Sequence, residues 1–85
     1  MTEAQTVTVL FFAAARDAAG TAELLLPVSG AGTLAELQQR VLQQLAGLQR
    51  MQSMLLWAVN NQYAVPAMTI GPGDTVACFP PVSGG

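Results

Sequence analysis

A single amphipathic helix with a clearly marked start limits the architectures open to this chain. The run Thr33-Leu34-Ala35-Glu36 has the spacing of a capping box, with Thr33 as the N-cap and Glu36 at the third helical position. Apolar side chains then recur at helical spacing, and glutamines fill much of the remaining surface. The apolar stripe consists of Leu34, Leu37, Val41, Leu45 and, at its far end, Leu48. We therefore predict a helix that begins at Thr33, ends or is interrupted at Gly47, and packs its stripe on a sheet.

The first strand is predicted from Thr6 to Phe12, where every residue is β-branched, aromatic or leucine. Alternation places Val7, Val9 and Phe11 on one face, and Thr8, Leu10 and Phe12 on the other. Both faces are largely apolar, which is typical of a central strand that is covered on each side.

A short alanine-rich helix, Ala13 to Ala19, is predicted next, with Gly20 as its C-cap. A second strand from Thr21 to Val28 then lies close enough to the first to form a hairpin-like pair. Both elements precede the main helix.

The residues after the main helix predict three further strands. These are Leu55 to Val59, a short strand from Tyr63 to Val65 after an Asn60-Asn61-Gln62 turn, and Thr75 to Phe79 after a Gly71-Pro72-Gly73-Asp74 turn. In the last strand Val76 and Cys78 lie opposite Thr75, Ala77 and Phe79. With one main helix between two groups of strands, the 85 residues predict a single α+β domain spanning 1–85, in which a sheet wraps around that helix.

Composition excludes several classes of function. The chain is 52% hydrophobic and only 9% charged, which predicts a folded domain with apolar surface to spare for a partner. The net charge is −2 and lysine is absent, so the cationic stripe of a nucleic-acid-binding protein is missing. The lack of lysine also means that no side-chain amine of this chain can accept an isopeptide. Histidine is absent too, which removes the usual general base, and one cysteine can form neither an internal disulfide nor a four-ligand metal site.

A cytoplasmic location is predicted by the same reasoning. The apolar run from Val7 to Ala15 has no positive residue before it, as a signal peptide would, and no run approaches the roughly 18 residues of a membrane span.

The C-terminal residues carry the chemistry. Pro80 and Pro81 remove two backbone donors in succession, so the last strand must stop there, and Val82-Ser83-Gly84-Gly85 should extend as a tail. Glycines lack a Cβ, so such a tail can enter a narrow channel in a partner. The carboxylate of Gly85 can be activated by adenylation without any side-chain nucleophile from the chain itself.

Three stretches of the sequence resemble a known family, the small subunit of molybdopterin synthase. The run Gly-Asp-Thr-Val-Ala-Cys-Phe-Pro-Pro-Val-Ser-Gly-Gly at 73–85 is similar to the family's C-terminal signature. Residues 9–13, with Arg16 and Gly20, resemble its N-terminal motif, and the Val59-Asn60 pair also fits. The resemblance covers essentially the whole chain and implies a β-grasp, ubiquitin-like fold with a mixed sheet and a flexible C-terminal tail.

The resemblance also implies a mechanism in which this chain is not an enzyme by itself. An E1-like enzyme would use ATP to adenylate Gly85, and a sulfur donor would convert the adenylate to a thiocarboxylate. The Gly84-Gly85 end would then enter the large subunit of the synthase, in an expected heterotetramer. There its sulfur would pass to cyclic pyranopterin monophosphate and build the molybdopterin dithiolene. No metal or permanently bound cofactor is implied.

Contacts with the large subunit carry over from the family onto Phe12, Tyr63 and Phe79, and along the segment Pro80-Pro81-Val82-Ser83. Strand alternation agrees for Phe12 and Phe79, which lie opposite the residues predicted to face the helix. The chain departs from the family pattern at Cys78, where an aromatic residue is common, at Asp17 in place of glutamate, and at Ser83 in place of threonine.

Four side chains outside the tail have competing roles. Alternation places Cys78 on the core side, where a free cysteine acts as a small hydrophobe rather than a redox group. Trp57 is predicted to belong to the core rather than to an interface. Arg16 and Asp17 fit either a partner contact or a solvated helix face.

Other functions share the same features. The nearest alternative is a sulfur carrier for thiamine biosynthesis or for tRNA thiolation, and the Phe-Pro-Pro-Val-Ser-Gly-Gly end favours the molybdopterin branch over these. A β-grasp binding module without covalent chemistry, and a protein modifier that is conjugated to lysines, are the remaining alternatives.

Overall fold

The computed structural model describes residues 5–81, and the residues predicted to form the tail, Val82 to Gly85, lie outside this range. The elements in order are β1 (Thr6–Phe11), α1 (Ala13–Ala19), β2 (Glu23–Pro27), β3 (Gly32–Thr33), α2 (Leu34–Gln44), a 3₁₀ segment (Ala46–Met54), β4 (Leu56–Val59), β5 (Gln62–Tyr63), β6 (Thr69–Ile70) and β7 (Thr75–Phe79).

The strands form one mixed five-stranded sheet in the order β2-β1-β7-β4-β5, together with a two-stranded sheet of β3 and β6. The hairpin-like pairing of β1 with β2 is confirmed and is antiparallel, whereas β1 runs parallel to β7. The last strand of the chain therefore occupies the middle of the sheet, with β1 on one side and β4 on the other. This α+β arrangement of a mixed sheet and one main helix is the predicted fold.

The main helix begins as its sequence predicts. The Thr33 hydroxyl accepts from the Glu36 backbone N–H at 3.3 Å, and Glu36 Oε1 accepts from the Thr33 backbone N–H at 2.9 Å, which completes the capping box. The stripe of α2 is buried at Leu34, Leu37 and Val41. These side chains join a core that contains residues from the sheet, from α1 and from the 3₁₀ segment. The buried members are Val7, Val9, Phe11, Ala15, Leu26, Leu34, Leu37, Val41, Leu48, Leu55, Trp57, Val59, Ile70, Val76 and Cys78.

The far end of the predicted helix is wrong in detail. The α-helix ends at Gln44, and Leu48 reaches the core from the 3₁₀ segment instead of from the last turn of α2. The cause lies at Gly47, where the 3₁₀ segment passes so close to α1 that an added Cβ would overlap the Ala18 carbonyl oxygen.

Replacing Gly47 with alanine should destabilise the fold. Gly47 does not have a positive φ, so without a clash alanine would stabilise the protein by reducing the entropy of the unfolded chain. The overlap with the Ala18 backbone reverses the sign, and we expect a loss of about 1–3 kcal/mol in the free energy of unfolding. Urea denaturation measures this change in the free energy of unfolding. The control is Gly71→Ala, whose Cβ would lie 3.9 Å from the Ala31 Cα. Equal stability of the two variants would contradict the explanation.

The turn between β4 and β5 is one residue shorter than predicted. Asn60 and Asn61 both have positive φ, 50° and 71°, as in the two-residue turns that match the twist of a hairpin. The strand after the turn is therefore Gln62–Tyr63 instead of Tyr63–Val65. Strands β3 and β6, with two residues each, are too short to show a period-two pattern and were not predicted.

The prediction that β1 is covered on both faces is also wrong. Val7, Val9 and Phe11 are buried, but Thr8 and Leu10 on the opposite face are only half-buried. The helical elements supply buried residues to the first face, so the second face of the sheet keeps an apolar surface in contact with solvent. Among residues 5–81, no helix has the length and apolar character required to cross a membrane.

Candidate functional site

The site begins where β7 ends. β7 stops at Phe79, and Pro80 and Pro81 belong to no strand, which confirms the predicted break. Pro80 is half-buried and Pro81 is exposed, so the chain leaves the sheet at its surface.

Hydrogen bonds at the other end of β7 fix its position. Asn60 Oδ1 accepts from the Thr75 backbone N–H at 3.0 Å, and Asn60 Nδ2 donates to Asp74 Oδ1 at 3.2 Å. Asp74 Oδ2 accepts from the Gly71 backbone N–H at 2.8 Å, within the predicted turn before β7. The turn between β4 and β5 is thereby tied to the start of β7, which holds this central strand in register.

The outer face is the side of the five-stranded sheet that points away from α2. The register places Leu10 beside Ala77, Ala77 beside Ala58, and Ala58 beside Tyr63. Because side chains of directly paired residues point to the same side, these four form one row across the sheet. A second row, one pleat nearer the C-terminus of β7, pairs Leu56 with Phe79.

Phe12 extends this second row. It follows β1 directly, and its backbone N–H donates to the Cys78 carbonyl oxygen at 3.2 Å. Phe12 is 49% exposed and Tyr63 is 76% exposed, although both are large apolar side chains. The Tyr63 and Phe79 rings make a tilted contact, with their centroids 6.0 Å apart. The three aromatic residues predicted to contact a partner therefore lie on one face, next to the point where the chain leaves the sheet.

Four further outer-face residues, Leu10, Leu56, Ala58 and Ala77, were not predicted as site residues, although alternation had placed Leu10 with Phe12 and Ala77 with Phe79. The signal that could have found them is the alternation within β4, which puts Leu56 and Ala58 opposite the buried Trp57 and Val59. Exposed apolar area of this kind marks sites of protein–protein contact.

Cys78 and Trp57 lie in the core, as predicted. Cys78 has no exposed surface, and its burial raises the pKa of the thiol from 9.0 to about 12. Trp57 is 8% exposed. Arg16 and Asp17 both lie on the exposed side of α1.

The Cys78 thiol should resist alkylation in the folded protein. With a pKa near 12 in place of 9.0, the thiolate fraction at about pH 8 falls roughly 10³-fold, and burial blocks access as well. Intact mass after iodoacetamide treatment measures the reaction, and the urea-unfolded chain is the control that should react fully. Because folding raises this pKa, the folded protein keeps its full stability with respect to this thiol below pH 9.0, and its free energy of unfolding should fall as the pH rises towards 12. Rapid labelling of the folded chain would contradict a buried, inert thiol.

The described part of the chain offers no other reactive centre. Between residues 5 and 81, no group of three or more His, Cys, Asp or Glu side chains is placed to hold a metal ion. Predicted site residues Val82, Ser83, Gly84 and Gly85 lie outside the described residues. The geometry therefore places an exposed apolar face beside Pro80 and Pro81.

Comparisons with known proteins agree with this fold. The ThiS family matches residues 9–85 of the chain. A curated relative from Arabidopsis thaliana, "Molybdopterin synthase sulfur carrier subunit", is 28% identical over 79 residues, covering 93% of this chain and 82% of the relative.

Two solved structures are similar over nearly their whole length. SAMP1 from Haloferax volcanii superposes with a TM-score of 0.83 at 24% identity, covering 94% of this chain and 99% of that one. A complex of subunits 1 and 2 of molybdopterin-converting factor from Helicobacter pylori contains a chain with a TM-score of 0.70 at 25% identity, again covering 94% and 99%. With the family matched from the first strand to the last residue, this chain belongs to the ThiS family and has its ubiquitin-like β-grasp fold.

Proposed function

We propose that this chain is the sulfur-carrier subunit of a molybdopterin synthase and that it carries sulfur as a thiocarboxylate on Gly85. The observation that supports this best is the position of the apolar outer face. Phe12, Tyr63 and Phe79 lie beside the point where β7 gives way to Pro80-Pro81. A partner seated on this face is next to the start of the segment that ends in Gly84-Gly85.

The chemistry needs only the terminal carboxylate from this chain. An E1-like enzyme joins the Gly85 carboxylate to the AMP part of ATP and releases pyrophosphate. A donor delivers sulfur at the oxidation level of sulfide; this sulfur bonds to the Gly85 carbonyl carbon, displaces AMP and leaves a thiocarboxylate. In the synthase the thiocarboxylate sulfur forms a bond to a carbon of cyclic pyranopterin monophosphate while a carbon–oxygen bond of the pterin breaks. Water then attacks the Gly85 carbonyl carbon and breaks its bond to the sulfur, which stays on the pterin, and the Gly85 carboxylate is restored. A dithiolene holds two sulfur atoms, so each pterin requires two loaded carriers.

The catalytic side chains of the synthase belong to the large subunit in this proposal. This chain has no histidine or lysine, and its Cys78 thiol is buried with a raised pKa, so it lacks the usual general base and an accessible thiol nucleophile. The carrier acts as a substrate-like subunit of a cytoplasmic heterotetramer. It binds no cofactor of its own, and ATP is consumed by the activating enzyme.

Two comparisons support this branch of the family. The Arabidopsis relative is named as a carrier subunit of molybdopterin synthase, and the Helicobacter protein is seen with a second subunit of molybdopterin-converting factor. A second candidate, attachment to other proteins as a modifier, is favoured by the similarity to SAMP1, a small archaeal modifier protein. Sulfur supply for thiamine or for tRNA thiolation uses the same carrier chemistry with a different partner.

Reconstitution with purified partners separates these functions. Chain loaded with sulfur is offered, in separate reactions, to a molybdopterin synthase large subunit with cyclic pyranopterin monophosphate, to a thiazole synthase, and to a tRNA-thiolating enzyme. We expect molybdopterin in the first reaction and little product in the others. Product in the second or third reaction alone would assign the chain to another branch. Attachment of the chain to protein lysines, with no sulfur product, would favour the modifier.

A further inference from the structure

A groove lies at the edge of the sheet between α2 and β4, with a volume of about 330 Å³. Most of its lining residues are apolar, among them Leu42, Leu55, Trp57 and Pro66. Gln38 and Gln52 also line it, and Gln52 is exposed and so lies at the rim. None of the lining residues is charged. The groove therefore suits an uncharged, apolar ligand and would penalise a charged one.

The groove is open because the sheet is incomplete at this edge. β4 spans Leu56–Val59, but β5 pairs with it only at Ala58 and Val59. Beyond that pair the Ala64 backbone N–H still donates to the Trp57 carbonyl oxygen at 3.1 Å, and the chain then turns away at Pro66. The start of β4 is paired with β7 but has no strand on its other side, and the space on that side is the groove.

Exposed apolar side chains concentrate around this opening. Within residues 5–81, the large hydrophobic side chains that remain exposed are those of Phe12, Leu25, Met54, Tyr63 and Val65. Tyr63 lines the groove, Met54 precedes the lining residue Leu55, and Val65 lies between the lining residues Ala64 and Pro66. A cluster of this kind indicates contact with a protein.

The groove is continuous with the outer face. Leu56 and Tyr63 line the groove, and they also belong to the two rows of outer-face side chains. Tyr63 in turn contacts Phe79. A subunit that covers Phe79 together with Tyr63 therefore lies at the groove.

We propose that the large subunit inserts an uncharged apolar segment into this groove, so that its contact extends from the outer face around the edge of β4. The inserted side chains pack on Trp57 and Leu42, and polar backbone groups of the segment meet the Gln38 and Gln52 amides. This second anchor rests on the proposed function, because it assumes that the large subunit covers the outer face. It limits partner choice, since a subunit lacking the segment would leave the groove empty.

Binding in the groove can be followed at Trp57, because it is the only tryptophan in the chain and its indole signal is unambiguous. The chain is labelled with ¹⁵N and mixed with unlabelled large subunit, and the indole N–H resonance of Trp57 is followed by NMR. We expect this resonance to shift on complex formation and the Trp57 backbone amide to become protected from hydrogen exchange. An unchanged resonance and unchanged exchange in a formed complex would overturn the proposal.

Isosteric charge variants test the same site energetically. Gln52→Glu puts a carboxylate on the groove rim without changing its size, and we expect at least about a tenfold loss of affinity for the large subunit. Gln39→Glu adds the same charge at an exposed position of α2 that does not line the groove, and should change affinity less than about twofold. Equal affinities for the two variants would overturn the groove contact.

The outcomes separate this inference from the function on which it rests. If Phe12→Asp abolishes binding while Gln52→Glu and the Trp57 signal show no effect, the outer-face docking stands and the groove contact is wrong. If the chain forms no complex with the large subunit, both are wrong.

Discussion

Deletion of Gly85 is expected to reduce sulfur transfer to the pterin by at least about 10²-fold. The deletion leaves a carboxylate on Gly84, but it withdraws the reacting group by one residue, about 3.5 Å of extended chain. Activation and transfer both need reacting atoms within about 3–3.5 Å of each other, and a displacement of 1 Å can already cost about 10²-fold. Molybdopterin formed by the reconstituted synthase is the measurement.

Two controls show whether the loss of sulfur transfer arises because the terminal carboxylate no longer reaches the reacting groups. Ser83→Thr keeps the length of the chain and should retain transfer. The deletion variant itself should unfold at the same urea concentration as the parent, because Gly85 follows the last residue of β7 by six positions. Sulfur transfer at the parental rate by the deletion variant would exclude Gly85 as the carrier.

Phe12→Asp should weaken binding of the large subunit by about 30- to 1,000-fold, the cost of removing a central aromatic anchor of about 2–4 kcal/mol. The new carboxylate would also be buried by the partner without a counter-charge. Isothermal titration calorimetry measures the affinity. The substitution is informative because it should not harm the fold. Phe12 is the N-cap of α1 and makes no side-chain cap hydrogen bond, whereas aspartate is among the preferred N-cap residues.

Leu25→Asp is the matched control for this variant. Leu25 is 56% exposed and lies in β2, the edge strand, where it pairs with Thr8. It is therefore on the same face but away from the end of β7, and we expect its effect on affinity to be much smaller. If Phe12→Asp were folded and bound the large subunit as tightly as the parent does, docking through the aromatic cluster would be excluded.

The main features of the fold follow from local signals in the sequence. The capping box at Thr33 fixed the start of α2, and alternation separated Val76 and Cys78 from Phe79. Gly20 takes the predicted left-handed C-cap conformation, with φ 78°. These predictions hold because each depends on neighbouring residues, whose geometry is set by the helical or strand period.

What the sequence did not predict depends on contacts between distant elements. The end of α2 is decided by the close approach of Gly47 to Ala18, which no periodicity reveals. The groove beside β4 exists because β5 stops after two residues, and no periodicity is visible in so short a strand. The outer-face aromatics were predicted from resemblance and alternation together, whereas which residues lie beside Leu56 and Ala58 depends on the register of β4 against β7.

Intact mass spectrometry of the chain after incubation with its activating enzyme, ATP and a sulfur source tests whether Gly85 carries the sulfur. The thiocarboxylate replaces one oxygen with sulfur, so the mass should rise by the difference between these two atoms, and fragmentation should place the increase on Gly85. Addition of the large subunit and cyclic pyranopterin monophosphate should return the mass to its starting value as molybdopterin forms. An increase located on Cys78, or no increase although ATP is consumed, would contradict the account.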